Sequence, residues 1–221
     1  MNLNRVMPAE GSGQGLTSFF RAGSPGIFSD WNKEVFLMSK KMNTQILVEG
    51  GIMVALAFVL GEIKLFRLPQ GGSVTLGLMI PIIFYSLRHG VGAGVLAGVV
   101  LGLLKLAIGG YFVSIPQVIL DYPVAFGALG LSGLFSKQFK EKKSIVPVFC
   151  GTFVGVFGRF VAAVLSGVVF FAEYAGDMNP WTYSIKYNAT YLGIELAIAV
   201  VVIFVLRMFI TKNLTGDKIG R

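Results

Sequence analysis

IPQVILDYPVAFGALGLSGLF, residues Ile115–Phe135, is apolar almost throughout yet holds a carboxylate, Asp121, inside it. As a helix rising ~1.5 Å per residue, a stretch of this length covers the ~30 Å hydrocarbon layer of a bilayer. A charge inside such a span costs on the order of 2.5–3.5 kcal/mol and is retained where it faces a partner, a relay or a ligand. Arg159 and Glu195 occupy the same kind of setting in two later apolar segments. The stretch therefore reads as a membrane helix with one face turned towards a polar interior.

The rest of the chain agrees. Hydrophobic residues make up 54% and charged residues 14%, against roughly 25% charge in soluble domains. Twenty-nine glycines suit membrane helices that pack backbone to backbone. Six apolar segments follow one another: Gln45–Gly61, Val74–Leu87, Val91–Ile108, Ile115–Phe135, Ile145–Ala172 and Tyr183–Ile210. None alternates as a membrane β-strand does. The expectation is an all-α integral membrane protein of six transmembrane helices, with the second short for a span.

Residues 1–41 differ, being rich in Gly, Ser, Asn and Pro, and carry no apolar run long enough for a secretory signal. They read as a flexible N-terminal tail, with Met38 and Met42 as alternative starts just before the first helix. The membrane domain then covers 42–211, and 212–221 forms a basic tail. Lys40, Lys41, Arg88, His89, Lys137, Lys140, Lys142 and Lys143 fall at alternate ends of the segments, with Arg207, Lys212, Lys218 and Arg221 closing the chain. The intervening connections are neutral or acidic, apart from Lys64 and Arg67. This bias places both termini in the cytoplasm. It also assigns the net charge of +8 to the inner membrane surface rather than to nucleic acid. The lone Cys150 excludes an internal disulfide framework.

Polar residues recur at helical spacing. Ser184, Asn188, Tyr191 and Glu195 form one stripe on the last helix, and Ser114, Gln117 and Asp121 form another on the fourth. Arg159, Ala163, Ser166, Gly167 and Phe170 share a side of the fifth. Asp121 and Asn188 lie at similar depth, roughly 9 Å in from the outer end. Tyr111, Phe112, Tyr122, Phe171, Tyr174, Trp181 and Tyr183 gather near that end. An interfacial belt accounts for some of them. A carboxylate ringed by aromatic faces is also how a flat cation is held. Gln117, Ser166 and Ser184 are as readily helix glue as ligand contacts, and Arg159 with Glu195 as readily a structural ion pair. Lys105 and Lys186 read as snorkelling surface charges.

Gly130-Leu131-Ser132-Gly133 matches the GxSG pattern of intramembrane serine proteases. The sole histidine, His89, lies in a cytoplasmic connection and cannot serve as its base. Close packing explains the motif better. The chain carries no P-loop, nucleotide fingerprint or metal-ligand cluster, so it is expected to be no enzyme, to bind no metal and to draw any ATP energy from another subunit.

Several strings together resemble the thiamine-specific substrate-binding subunits, or S components, of energy-coupling factor transporters. They are Leu68-Pro69-Gln70-Gly71-Gly72-Ser73 with Met79-Ile80-Pro81, Leu87-Arg88-His89-Gly90 and Leu120-Asp121-Tyr122-Pro123. Gly158-Arg159-Phe160, Ser166 to Phe171, Pro180-Trp181-Thr182-Tyr183-Ser184 and Tyr187-Asn188 follow in order. The resemblance covers about Gln45 to Ile210. It implies a six-helix subunit of a bacterial-type plasma membrane that captures thiamine from outside. Such a subunit docks on a transmembrane coupling protein and two ATP-binding-cassette ATPases. It also implies that Asp121 faces the thiazolium or aminopyrimidine, with Tyr183 and Asn188 on the pyrimidine edge. Tyr111 and Tyr122 would line the pocket, Gly167 would allow close approach, and Phe171 would stack. Arg159 is the basic residue of the fifth helix and belongs to the same binding set. Gly51 and Ala55 would form the small face offered to the coupling protein. One position departs: members often carry a histidine one turn after the basic residue, and here it is Ala163. Sister readings are an S component for a thiamine precursor or another flat vitamin, and a self-sufficient ion-coupled carrier. Thiamine is the cargo in the leading reading, and no cofactor is implied.

Overall fold

The computed structural model describes residues 44–141 and 146–216. The tail expected over 1–41, Lys142, Lys143 and the last five residues lie outside them. Helix α1 is Thr44–Glu62; a hairpin of β1 (Lys64–Arg67) and β2 (Ser73–Thr75) follows, joined by a 3-10 turn at Pro69–Gly71. Then come α2 (Ile80–His89), α3 (Val91–Gly109), α4 (Ile115–Glu141), α5 (Val146–Phe170) and α6 (Pro180–Gly216). Among the described residues, five helices are long and apolar enough to cross a membrane, namely α1, α3, α4, α5 and the Pro180–Leu206 part of α6.

The second expected span is a correction. Its residues fold as strand, turn and a ten-residue helix, about 15 Å long and half of what a bilayer needs. Every residue of α2 from Ile80 to Leu87 is buried. A helix apolar on all sides is one enclosed by protein. The hairpin is likewise an addition to the expected all-helical fold. It pairs antiparallel, Lys64 with Thr75, Phe66 with Val74 and Arg67 with Ser73, with a bulge after Lys64. The last helix runs past Ile210 to Gly216.

Two local features shape the bundle. In α4, Ser114 caps the first turn through Gln117 N at 3.3 Å, and Pro116 takes an early position where its missing N–H costs nothing. Pro123 then interrupts the ladder, and Leu120–Val124 widens into a π turn that contains Asp121 and Tyr122. Further along, α4 tightens to a 3-10 helix over Ala128–Phe135 and lies directly on α3. A Cβ on Gly98 would sit 2.8 Å from the Phe126 carbonyl carbon, and one on Gly133 2.8 Å from Gly90 O. Only glycine permits such backbone contact. Gly130 and Gly133 of the GxSG string belong to this seam, while Ser132, fully buried, lies against Gly151 and Gly155 of α5.

Outward faces are apolar. Phe149, Phe153 and Phe157 line one side of α5, about half exposed, with the latter two stacked 5.8 Å apart. At the end where α1 begins and α2 stops, Glu49 holds Arg88 at 3.3 Å and His89 at 3.1 Å. Glu49 is a charge within α1 that hydropathy alone passes over.

Candidate functional site

At the hairpin end the helices part around a cavity of about 250 Å³. All eight residues expected to meet a ligand line it: Tyr111, Asp121, Tyr122, Arg159, Gly167, Phe171, Tyr183 and Asn188. They come from α4, α5, α6 and the segments that enter α4 and leave α5. Exposed Lys64, Gly71 and Tyr111 stand at the mouth.

Each wall is held by its own bonds. Gln117, 1% exposed, donates through Nε2 to Asp121 Oδ2 and to Tyr111 O, while its Oε1 accepts from Val113 N at 3.0 Å. Tyr111 N donates to the Tyr122 hydroxyl at 2.6 Å. One amide thus fixes both the carboxylate and the entering loop, so Gln117 positions the site rather than gluing helices. On α6, Asn188 Nδ2 donates to Ser184 O at 2.9 Å and reaches Ala163 O at 3.4 Å, and Tyr191 donates to Asn188 Oδ1 at 2.9 Å. Asn188 is therefore oriented before any ligand arrives. Phe171 lies between Tyr111 and Tyr174, with ring centres 6.0 and 6.2 Å away, and Tyr183 stacks on Tyr187 at 6.0 Å. A Cβ on Gly167 would collide with the Ser184 side chain, so glycine lets α5 and α6 close behind the cavity.

The hairpin supplies a wall that the sequence reading missed. Gly71, Gly72, Ser73 and Thr75 all face the cavity. Gly72 N donates to the Tyr187 hydroxyl at 2.9 Å, and that hydroxyl donates to Pro69 O. Deeper, Glu195 Oε1 accepts from Thr75 N at 2.9 Å and Thr75 Oγ1 at 2.6 Å. Arg159 stands 3.7 Å from Glu195 Oε2 and lies 4.4 Å from the centre of the Phe126 ring. Lys105 is another correction. It lines the cavity and pairs at 2.6 Å with the half-exposed Glu62, so it is more than a free surface charge. Ala163 also lies on the lining, between Arg159 and Ser166. Gly51 and Ala55 stay apart from the cavity, exposed on α1, and a Cβ on Gly51 would meet nothing within 4 Å.

A bundle of membrane-crossing helices built around a small polar cavity, with aromatic walls and one carboxylate at ligand depth, is the architecture of a membrane ligand-binding or transport protein. The sequence matches the family described as thiamine transporter protein (Thia_YuaJ) over residues 47–215, and the chain belongs to that family. It is 40% identical to the thiamine transporter ThiT of Bacillus subtilis over 183 residues, which cover 78% of this chain and 95% of that one. The ThiT of Lacticaseibacillus paracasei is 31% identical over 193 residues, covering 80% and 96%. A solved structure of ThiT from Listeria monocytogenes superposes with a TM-score of 0.70 at 29% identity, over 77% of this chain and 98% of that one. Membership bears out the resemblance read from the sequence strings. It also places the chain among transporters rather than enzymes, and so among membrane proteins.

Proposed function

We propose that this chain is the membrane substrate-binding subunit that captures thiamine from outside the cell and delivers it through an ATP-driven energy-coupling factor transporter. It sits in a bacterial-type plasma membrane with both termini cytoplasmic, residues 42–211 forming the binding domain. The convergence of eight anticipated residues on one cavity carries this reading. Asp121 supplies a negative charge to a flat cationic ligand, Phe171 and Tyr111 supply ring faces, and Tyr183 with Asn188 address the aminopyrimidine edge. Tyr122, Arg159 and Gly167 complete the walls. Relatives whose names specify thiamine support the choice of ligand.

Purified protein is expected to bind thiamine with no nucleotide present, quenching aromatic fluorescence and raising the melting temperature. If thiamine changes neither and a pyrimidine precursor changes both, the subunit serves the precursor instead. The partner face is tested separately. Gly51→Trp, or Ala55→Trp, is expected to abolish uptake while leaving thiamine affinity nearly intact, because a bulky ring blocks helix approach at an exposed small-residue face. Uptake that persists in a host lacking the ATPases and collapses with a protonophore would establish an ion-coupled carrier.

A further inference from the structure

Glu195 has no part in the binding scheme above, yet it is buried on the cavity wall, 4% exposed. Its local duty is clear. The backbone between the hairpin and α2 is not helical, and such backbone inside a bilayer must find partners within the protein. Glu195 accepts from both the N–H and the hydroxyl of Thr75, the last residue of β2, where the hairpin gives way to that backbone. A neutral amide oxygen could do the same. The negative charge therefore needs a second reason, and it lies 3.7 Å away in Arg159.

Arg159 also lines the same cavity as Asp121. Left alone, one guanidinium and one carboxylate would cancel, and the deep cavity would offer nothing to a cation. With Glu195 present, Asp121, Arg159 and Glu195 sum to one negative charge. The flanking cations do not alter that sum at depth. Lys105 is neutralised by Glu62, and Lys64 lies on an exposed strand where water screens it. Glu195 is also anchored independently of Arg159, since Thr75 holds its other oxygen.

We propose that Glu195 is a charge-balancing residue that sets specificity: by neutralising Arg159 it leaves the Asp121 charge free for a positively charged ring, so the site selects cationic over neutral ligands of the same shape. This rests on the thiamine reading above. The measured quantity is the ratio of affinities for thiamine and for an analogue whose thiazolium is replaced by a neutral thiophene, titrated on purified full-length protein. Glu195→Gln keeps an acceptor for Thr75 and is expected to weaken thiamine by on the order of tenfold while changing the neutral analogue less than about twofold. Arg159→Gln is expected to move the ratio the opposite way, towards the cation, and decides the matter even if Glu195→Gln does not fold. Thr75→Val, which removes the hydroxyl bonds to Glu195 and to Leu78 N but keeps the Thr75 N–H on Glu195, should weaken both ligands by one factor. If Glu195→Gln weakens both equally, or Arg159→Gln leaves the ratio unchanged, Glu195 merely fastens the hairpin and the proposal fails. Failure of the wild type to bind thiamine, read before any variant, overturns the function itself.

Discussion

The two halves of this bundle solve opposite problems with the same helices. Where α3 meets the far part of α4, glycines bring backbone onto backbone, and Gly94, Gly98, Gly130 and Gly133 leave no room for a Cβ. At the hairpin end the same α4 opens into a π turn, and the space between helices is bounded by Asp121, Arg159, Asn188 and aromatic rings. One half is closed and apolar with few hydrogen-bonding groups, and the other is polar and heavily cross-bonded. The difference teaches that a membrane protein can hold charged groups at a fixed spacing beside a region packed backbone on backbone.

The strongest way to break this division is to intrude on the closed half. Gly98→Val places methyl groups against the Phe126 and Gly127 backbone. It is expected to cost about 3 kcal/mol or more, the upper range for overpacking. Melting of detergent-purified protein without ligand should fall sharply, with poor yield. A variant that melts normally and only binds thiamine less well would show that the two halves are not divided in this way.

Next in size is a change confined to the open half. Asp121→Asn keeps shape and hydrogen-bonding capacity but removes the charge. Hydrogen bonds to charged groups are worth about 1.5–3 kcal/mol, so thiamine affinity should drop roughly 10- to 150-fold. Melting without ligand should barely change. A large loss of ligand-free stability would mean that Asp121 is needed to hold Gln117 and the Tyr111 loop in place.

The smallest expected effect sharpens the picture rather than breaking it. Ala163→His restores the residue that family members often carry, beside Arg159 on the cavity lining. One added hydrogen bond, worth ~0.5–1.5 kcal/mol, should tighten thiamine binding by about two- to tenfold in calorimetric titration. Weaker thiamine binding, with a bulkier ligand favoured by the wild type, would mark a different substrate.

How far these halves could be read from the residues follows from the physics of each. Five spanning helices were legible because apolar runs of that length have few other fates. The cavity walls on α4, α5 and α6 were legible because Asp121, Arg159 and Asn188 are costly inside a bilayer and recur at helical spacing. The hairpin was not. KLFR and SVT are too short to alternate, and β1 is exposed along its whole length, so periodicity carries no signal. Lys105 and Glu49 were misjudged or overlooked for a shared reason. Each is paired with a residue distant in sequence, Glu62 for the first and Arg88 for the second, and pairing across elements leaves no local mark.

Helix α2 carries a consequence for how the protein is made. Its ten residues cannot cross a bilayer unaided, and each from Ile80 to Leu87 is covered by other parts of the chain. Membrane insertion selects segments one at a time by length and hydrophobicity, and on that test α2 does not qualify. It is expected to enter only once α1, α3 and α4, the helices packed on it, are in place to receive it. Destabilising α1 or α3 should therefore strand α2 and its hairpin outside, where a protease can find them, before the other helices are lost.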